Sequence, residues 1–408
     1  MKIPELLAPA GNLEKLKIAI EYGADAVYIG GKQFGLRAFA DNFEIHEIEE
    51  GIKYAHNRDR KVYVTMNIFA HNNDFNGMKE YIEALADANV DGIILSDPGI
   101  LDLVKKTAPN ISIHLSTQAN TTNWKSALFW YRQGVDRIIL ARELSINEIK
   151  ALKANIPEDL EIEAFVHGAM CISYSGRCAL SNYLVGRDAN RGACAHPCRW
   201  KYYLMEQKRP GEYFPIFEDD RGTYIFNSND LCMIEYIPEL IDAGLDSLKI
   251  EGRMKSSYYV ATVVQTYRQV LDRYAEDPDN YIFDTNYIKE LKKVSHRPFT
   301  TGFYFGKPTA KDHRYDDSQY IRNYDFVGMV VDYMLDKGIA VVEQRNHFKV
   351  GDKLEIMRPG KPYLEYEVRT ILDEDGQIID CAPHPQQIVK LPIDIPLSKY
   401  SLLRRKKV

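Results

Sequence analysis

No apolar run in this 408-residue chain reaches the roughly 18–20 residues that a membrane-spanning helix needs. A membrane partner is therefore not expected. Low-complexity and Gly-X-Y tracts are missing, and 45% hydrophobic against 27% charged residues is the balance of a globular protein with a sizeable core. Collagen-like, disordered and small disulfide-stapled classes are excluded. The formal charge of −6 argues against a broadly basic surface, so any nucleic-acid footprint is confined to a local patch. H-E-x-x-H and G-x-S-x-G do not occur, which removes two common sequence marks of a hydrolase. The opening residues, MKIPELLAPAGNLEK, are too briefly apolar and turn acidic too soon for a signal peptide. The expected compartment is the cytoplasm, where disulfides are rare. Cysteine is scarce, at six residues, yet four fall between Cys171 and Cys198 and a fifth is Cys232.

What the first 250 residues do hold is a regular beat. Short apolar runs recur at 4–8, 25–30, 61–67, 91–96, 112–116, 136–141, 161–166 and 246–252. Most are rich in Ile, Val, Leu or Tyr, as strands buried on both faces of a parallel sheet are. Between them lie helical patterns. Leu13, Leu16 and Ile20 form an apolar stripe stopped by Gly23, and Ser145-Ile-Asn-Glu148 reads as a capping box. Eight such alternations predict an α/β fold, a (β/α)8 TIM-like barrel. A doubly wound open sheet is the second choice, weakened because no G-x-G-x-x-G follows the first run.

One interval breaks the beat, between the seventh and eighth runs. Within it Asp230–Gly244 reads as the seventh helix. The rest, at about 168–228, is a Cys-rich insertion after strand seven, on the face where such barrels carry their active sites. A Tyr- and Val-rich helix is predicted at 256–275. The chain then divides into the barrel with its insertion (1–275), a connecting segment (276–320) and a C-terminal module (321–408). Alternating runs in that module predict a small antiparallel β-barrel. Its basic end, Arg404 to Lys407, reads as a solvated tail or as a phosphate contact.

Cys171, Cys178, Cys194 and Cys198 follow the spacing C-x6-C, x15, C-x3-C. Four thiolates suit a soft metal, and the spacing leans away from C-x2-C zinc ribbons toward an iron–sulfur cluster, with zinc as the alternative. Cys198 is the first choice for fourth ligand and Cys232 the reserve. Cys381, in the C-terminal module, reads as a core thiol.

The segment E-x-F-x-x-G-A-M-C-x6-C-x-x-S at 163–181 resembles the signature of the collagenase-like peptidase family U32. So do L-A-P-A-G-N-L-E-K-L (7–16), G-A-D-A-V-Y-I-G (23–30), N-x-F-A-H (67–71), S-T-Q (116–118) and S-L-K-I-E-G-R (247–253). The resemblance covers nearly the whole chain and implies a barrel, in agreement with the strand count. It also implies what the count cannot show. Several members are oxygen-independent hydroxylation proteins with a four-cysteine [4Fe–4S] cluster. This chain is most similar to the tRNA group, which makes 5-hydroxyuridine at the wobble position of the anticodon loop, with prephenate implicated as the hydroxyl source.

In a barrel, Asn67, His71, Gln118, Arg142, Glu143, His167, Glu251 and Arg253 stand at strand ends around one mouth. Arg142 and Arg253 can fork onto a dicarboxylate co-substrate, or can be held in internal ion pairs with Glu143 and Glu251. His167, Glu251 and Gln118 are the candidate catalytic groups. Arg37, Asn67 and His71 complete the candidate substrate contacts. Three functions follow: a cluster-dependent tRNA hydroxylase served by an electron donor or partner subunit; a collagenase-like protease; and a non-enzymatic RNA-binding scaffold stapled by a structural metal site.

Overall fold

Eight parallel strands close into a ring: β1 (Glu5–Pro9), β2 (Ala26–Gly30), β3 (Lys61–Met66), β4 (Gly92–Leu95), β5 (Ser112–Leu115), β6 (Arg137–Ile139), β7 (Glu161–Ala169) and β8 (Ser247–Ile250). Each pairs with the next, and β8 pairs with both β7 and β1, as in Leu248↔Ala164 and Leu6↔Leu248. This is the predicted TIM-like barrel, and the open sheet is ruled out. The computed structural model describes residues 2–35, 41–170, 195, 227–306, 313–314 and 320–407.

Helices wrap the ring, several of them started by side-chain caps. In α1 (Leu13–Glu21) the Asn12 side chain accepts from the Lys15 amide at 3.0 Å, and the helix gives way to Gly23 at φ +104°. Asp97 caps α2 (Pro98–Thr107), whose first residue is a proline that loses no hydrogen bond there. The capping box predicted at Ser145 and Glu148 opens α3 (Ile146–Lys153).

The predicted seventh helix is corrected. Asp230–Cys232 is a strand, antiparallel to the end of β7 through His167↔Cys232 and Ala169↔Asp230. A 3-10 turn at Ile234–Tyr236 follows, and helix begins only at α4 (Ile237–Asp242). The end of β7 offers this short segment a backbone ladder in place of a helix. The predicted 256–275 helix is α5 (Ser257–Glu276), capped by Ser256. It is buried on most sides because it lies between the barrel and the C-terminal module. Tyr22 of α1 shows the same seam, its hydroxyl donating to the Met357 and Tyr400 carbonyls.

The C-terminal module is antiparallel, as expected. Its sheet runs in the order 361–367, 353–358, 402–406, 324–334, 339–344, 388–392, 371–372, 378–379. It encloses a core of its own around Val327, Val342, Phe348, Ile356 and Leu403. Cys381 is half-buried on a short edge strand, not in that core. The basic end is not a solvated tail. It is the strand Leu402–Lys406, with Arg404 fully buried between Glu355 at 2.6 Å and Glu290, Arg405 held by Asp352, and Lys407 3.3 Å from Asp325. No helix among the described residues is long and apolar enough to cross a membrane.

Candidate active site at the barrel mouth

Alternate residues of the strands point into the ring, and the interior they make is charged. Arg137 of β6 reaches Glu5 of β1 at 2.6 Å, a contact between strands that are not neighbours and that therefore crosses the barrel. The same guanidinium meets Glu161 at 2.6 Å and Glu163 at 3.2 Å. Glu163 in turn holds the Lys249 ammonium at 2.6 Å, both side chains buried. Tyr63 donates to Glu5 at 2.7 Å. Buried charges persist only when paired, and here each carboxylate faces a cation. Burial lowers the Lys249 pKa against the opposing pull of Glu163. His114, also inside, is driven well below the usual histidine range by burial and the nearby Arg137 and Lys249 charges.

Above this floor lies the mouth. Arg142, just past β6, lays its guanidinium over the Phe165 ring at 4.0 Å and stands 3.6 Å from a Glu251 oxygen past β8. Lys249 faces the same ring at 5.7 Å, so Phe165 separates the floor cation from the mouth cation. Glu143, next in sequence, has its pKa raised by burial. Across the mouth, Arg253 is buried, donating to Thr65 Oγ1 at 3.0 Å and Asn42 Oδ1 at 2.7 Å. Gly30 makes room for it, since a Cβ there would sit 2.2 Å from Arg253 Nη2. The Tyr81 hydroxyl points at the same loop. A Cβ on Gly31 would lie 2.0 Å from it, and this buried hydroxyl has no hydrogen-bond partner among the described residues.

The predicted residues fall into distinct places. Arg142, Glu251 and Arg253 share the mouth. Arg142 meets Glu251 across strands, and Arg253 donates to Thr65 and Asn42. Gln118 is buried on the turn after β5, accepting from the Ser116 hydroxyl at 3.0 Å. Asn67 is half-buried at the end of β3, its carbonyl accepting from Ser96. His71 is exposed further along that loop, its amide donating to Asp74 at 2.7 Å.

His167 lies elsewhere. Its ring packs among Tyr259 and Tyr267 of α5 and Phe299, with Nδ1 3.4 Å from the Tyr267 hydroxyl. Burial, with Lys255 and His296 nearby, lowers its pKa to about 3. Its cross-strand neighbour Cys232 is buried too, its thiol pushed up to about 12 by burial. A neutral imidazole beside a protonated thiol is wall packing, not a reactive couple. Arg37, Cys171, Cys178, Cys194 and Cys198 lie outside the described residues. Among the described ones no cluster of three His, Cys, Asp or Glu can hold a metal.

Sequence reading missed the interior charges and Tyr81. A signal for the first was present: Glu161, Glu163 and Phe165 alternate with Ile162, Ala164 and Val166, placing one polar face inside the ring. Nothing local marked Tyr81.

Comparison with known proteins adds the family context. Residues 11–314 match the family described as Peptidase family U32, and 322–404 match Peptidase family U32 C-terminal domain. The tRNA hydroxylation protein P1 of Bacillus subtilis (strain 168) is 48% identical over 406 residues, covering 100% of this chain and 96% of the relative. The tRNA hydroxylation protein P of Escherichia coli (strain K12) is 37% identical over 452 residues, covering 98% and 96%. A protein named Collagenase from Porphyromonas gingivalis (strain ATCC BAA-308 / W83) is 32% identical over 396 residues, covering 94% and 93%.

Proposed function

Because the chain belongs to peptidase family U32, we propose that it is a tRNA-modifying enzyme that forms 5-hydroxyuridine at the wobble position without oxygen. The observation that carries this reading is the 48% identity, over 100% of this chain and 96% of the relative, to a protein named for tRNA hydroxylation. The proposed cofactor is a [4Fe–4S] cluster on Cys171, Cys178, Cys194 and Cys198. Four thiols are a soft donor set that fits iron–sulfur, and zinc is the alternative occupant. Cys232, buried on the strand paired with the end of β7, stays the reserve ligand. A cluster held there would carry electrons, exchanged with an electron donor or partner subunit in the cytoplasm, or would bind the oxygen donor.

The chain's own residues prepare the mouth. Arg142 offers a guanidinium to one carboxylate of prephenate, the proposed hydroxyl source, with Glu251 as the partner it leaves or shares. Glu143, its proton affinity raised by burial, is placed to hold a proton beside that anion. Arg253 acts as a positioning residue, because Thr65 and Asn42 already fill its fork. Gln118, Asn67 and His71 line the approach of the anticodon loop, with Arg37 as a further contact from the loop after β2.

A protease needs a nucleophile with a base, and Cys171, the candidate partner for His167, cannot serve as a free nucleophile while it ligates a cluster. The test is nucleoside mass spectrometry of tRNA from cells lacking the gene. Loss of 5-hydroxyuridine, restored by the wild-type gene and not by Cys171→Ala, is expected. Unchanged 5-hydroxyuridine overturns the reading. Collagen cleavage by the pure protein, abolished by Cys171→Ala, would put the protease in its place.

A further inference from the structure

Residues 103–135 contain Lys105, Lys106, Lys125 and Arg132 and not one Asp or Glu, in a chain with 58 acidic residues. Two of its three tryptophans, Trp124 and Trp130, fall in the same stretch. The structure gathers this segment's C-terminal part into the helix Trp124–Arg132, in which Ala127 alone is fully buried. Trp124 is 36% and Phe129 54% exposed, and Lys125 and Arg132 are exposed between them. At about 100° per residue, Lys125 and Arg132 share the centre of the outward face, with the two rings on its flanks. Lys125 Nζ lies 5.3 Å from the Trp124 ring centroid, and Phe129 meets Trp130 edge-on at 5.3 Å.

Nearby cations are already engaged. Lys106 pairs with Asp102 at 2.7 Å, and Lys105 donates to the Gln133 carbonyl at 2.7 Å. No carboxylate among the described residues pairs with Lys125 or Arg132. The helix also starts in the right place. It follows the turn Thr117–Ala119, which carries Gln118, so Trp124 stands at the rim of the mouth and the helix descends the outer wall.

We propose that the outward face of Trp124–Arg132 is an RNA-docking surface. Lys125 and Arg132 take backbone phosphates, and Trp124 and Phe129 stack unpaired bases beside the mouth. Charge complementarity decides the occupant. Protein interfaces exclude lysine from their centres, whereas here the cations occupy the centre and the rings the flanks. In a protein of net charge −6, an acid-free patch is also the local exception that RNA binding requires. The assignment rests on tRNA being the substrate.

Fluorescence anisotropy of the full-length protein with an unmodified tRNA transcript carrying a wobble uridine tests it. Lys125→Gln with Arg132→Gln should weaken binding at least about tenfold and reduce the salt slope by about 2. Trp124→Ala with Phe129→Ala should weaken binding similarly while leaving the slope unchanged, with both proteins retaining the wild-type circular dichroism spectrum. Wild-type affinity and slope in both pairs would overturn the assignment and leave the tRNA reading standing. Loss of self-association in sedimentation, with RNA affinity unchanged, would make the face a protein interface and overturn it equally. Wild-type protein that fails to bind the transcript would overturn the tRNA reading itself.

Discussion

The floor and the mouth of one barrel use the same charged residue types in opposite ways. On the floor Arg137 and Lys249 are locked to Glu5, Glu161 and Glu163 at 2.6–3.2 Å with little or no solvent access to the cations. At the mouth Arg142 and Glu251 stand 3.6 Å apart, beyond the usual hydrogen-bond range, and Arg253 is held by neutral oxygens. A charge surrounded by close counter-charges cannot exchange partners cheaply. A guanidinium spread over an aromatic ring keeps that contact whatever its N–H groups bond to. The floor therefore fixes the ring by close ion pairs, and the mouth orders its Arg142 by stacking on Phe165.

Removing one floor partner should have the largest effect on stability. Arg137→Met leaves Glu5 and Glu163 buried without their cation and should cost about 3–5 kcal/mol in denaturant unfolding. A loss below about 1 kcal/mol would show that the floor is not the anchor described. Gly30→Ala comes next. The added Cβ must displace Arg253, costing about 1–3 kcal/mol, and should lower tRNA hydroxylation more than the stability loss alone accounts for. Arg142→Ala should cost about 1–2 kcal/mol through its lost ring contact, yet abolish most 5-hydroxyuridine in complemented cells. Normal hydroxylation in that variant would erase the distinction between floor and mouth.

The smallest effect concerns pH. His167 has a folded pKa of about 3 against an ordinary value of 6.5. Below pH 6.5 the unfolded chain takes up a proton that the folded chain refuses. Its contribution is therefore complete above about pH 6.5 and drains away as pH falls toward 3, by about 1 kcal/mol over the first full unit. His167→Phe, tested by melting from pH 7 to 5.5, should flatten that part of the profile. An unchanged slope would mean that the ring is not buried neutral.

The barrel was legible because parallel strands covered on both faces must be apolar along their length, and the runs at 25–30, 61–67 and 91–96 are. The strand at Asp230–Cys232 was not, since three residues carry no period and its identity comes from the β7 edge beside it. The mouth arginines were legible as strand-end residues, but their partners depend on barrel register. His167 was misplaced for a similar reason. The bulge between Lys249 and Ile250 shifts the β7 register, and the strand's last residues face α5. The basic end misled because four consecutive cations look like a tail, whereas pairing with 324–334 and 353–358 places Arg404, Arg405 and Lys407 beside carboxylates.

The overrun of β7 beyond the ring has a consequence for how the molecule is assembled. Ala169 and Asp230 are opposite rungs of one antiparallel ladder, so the chain departs for the insertion and returns from it at a single point. The entropy of closing so long an excursion is met at its base, by backbone pairing that belongs to the barrel wall. Ring closure then does not depend on the path the chain takes between these two rungs. The insertion is in effect a detachable cartridge: a short turn joining Ala169 to Asp230 would leave a β-hairpin, with the wall of the barrel unbroken behind it.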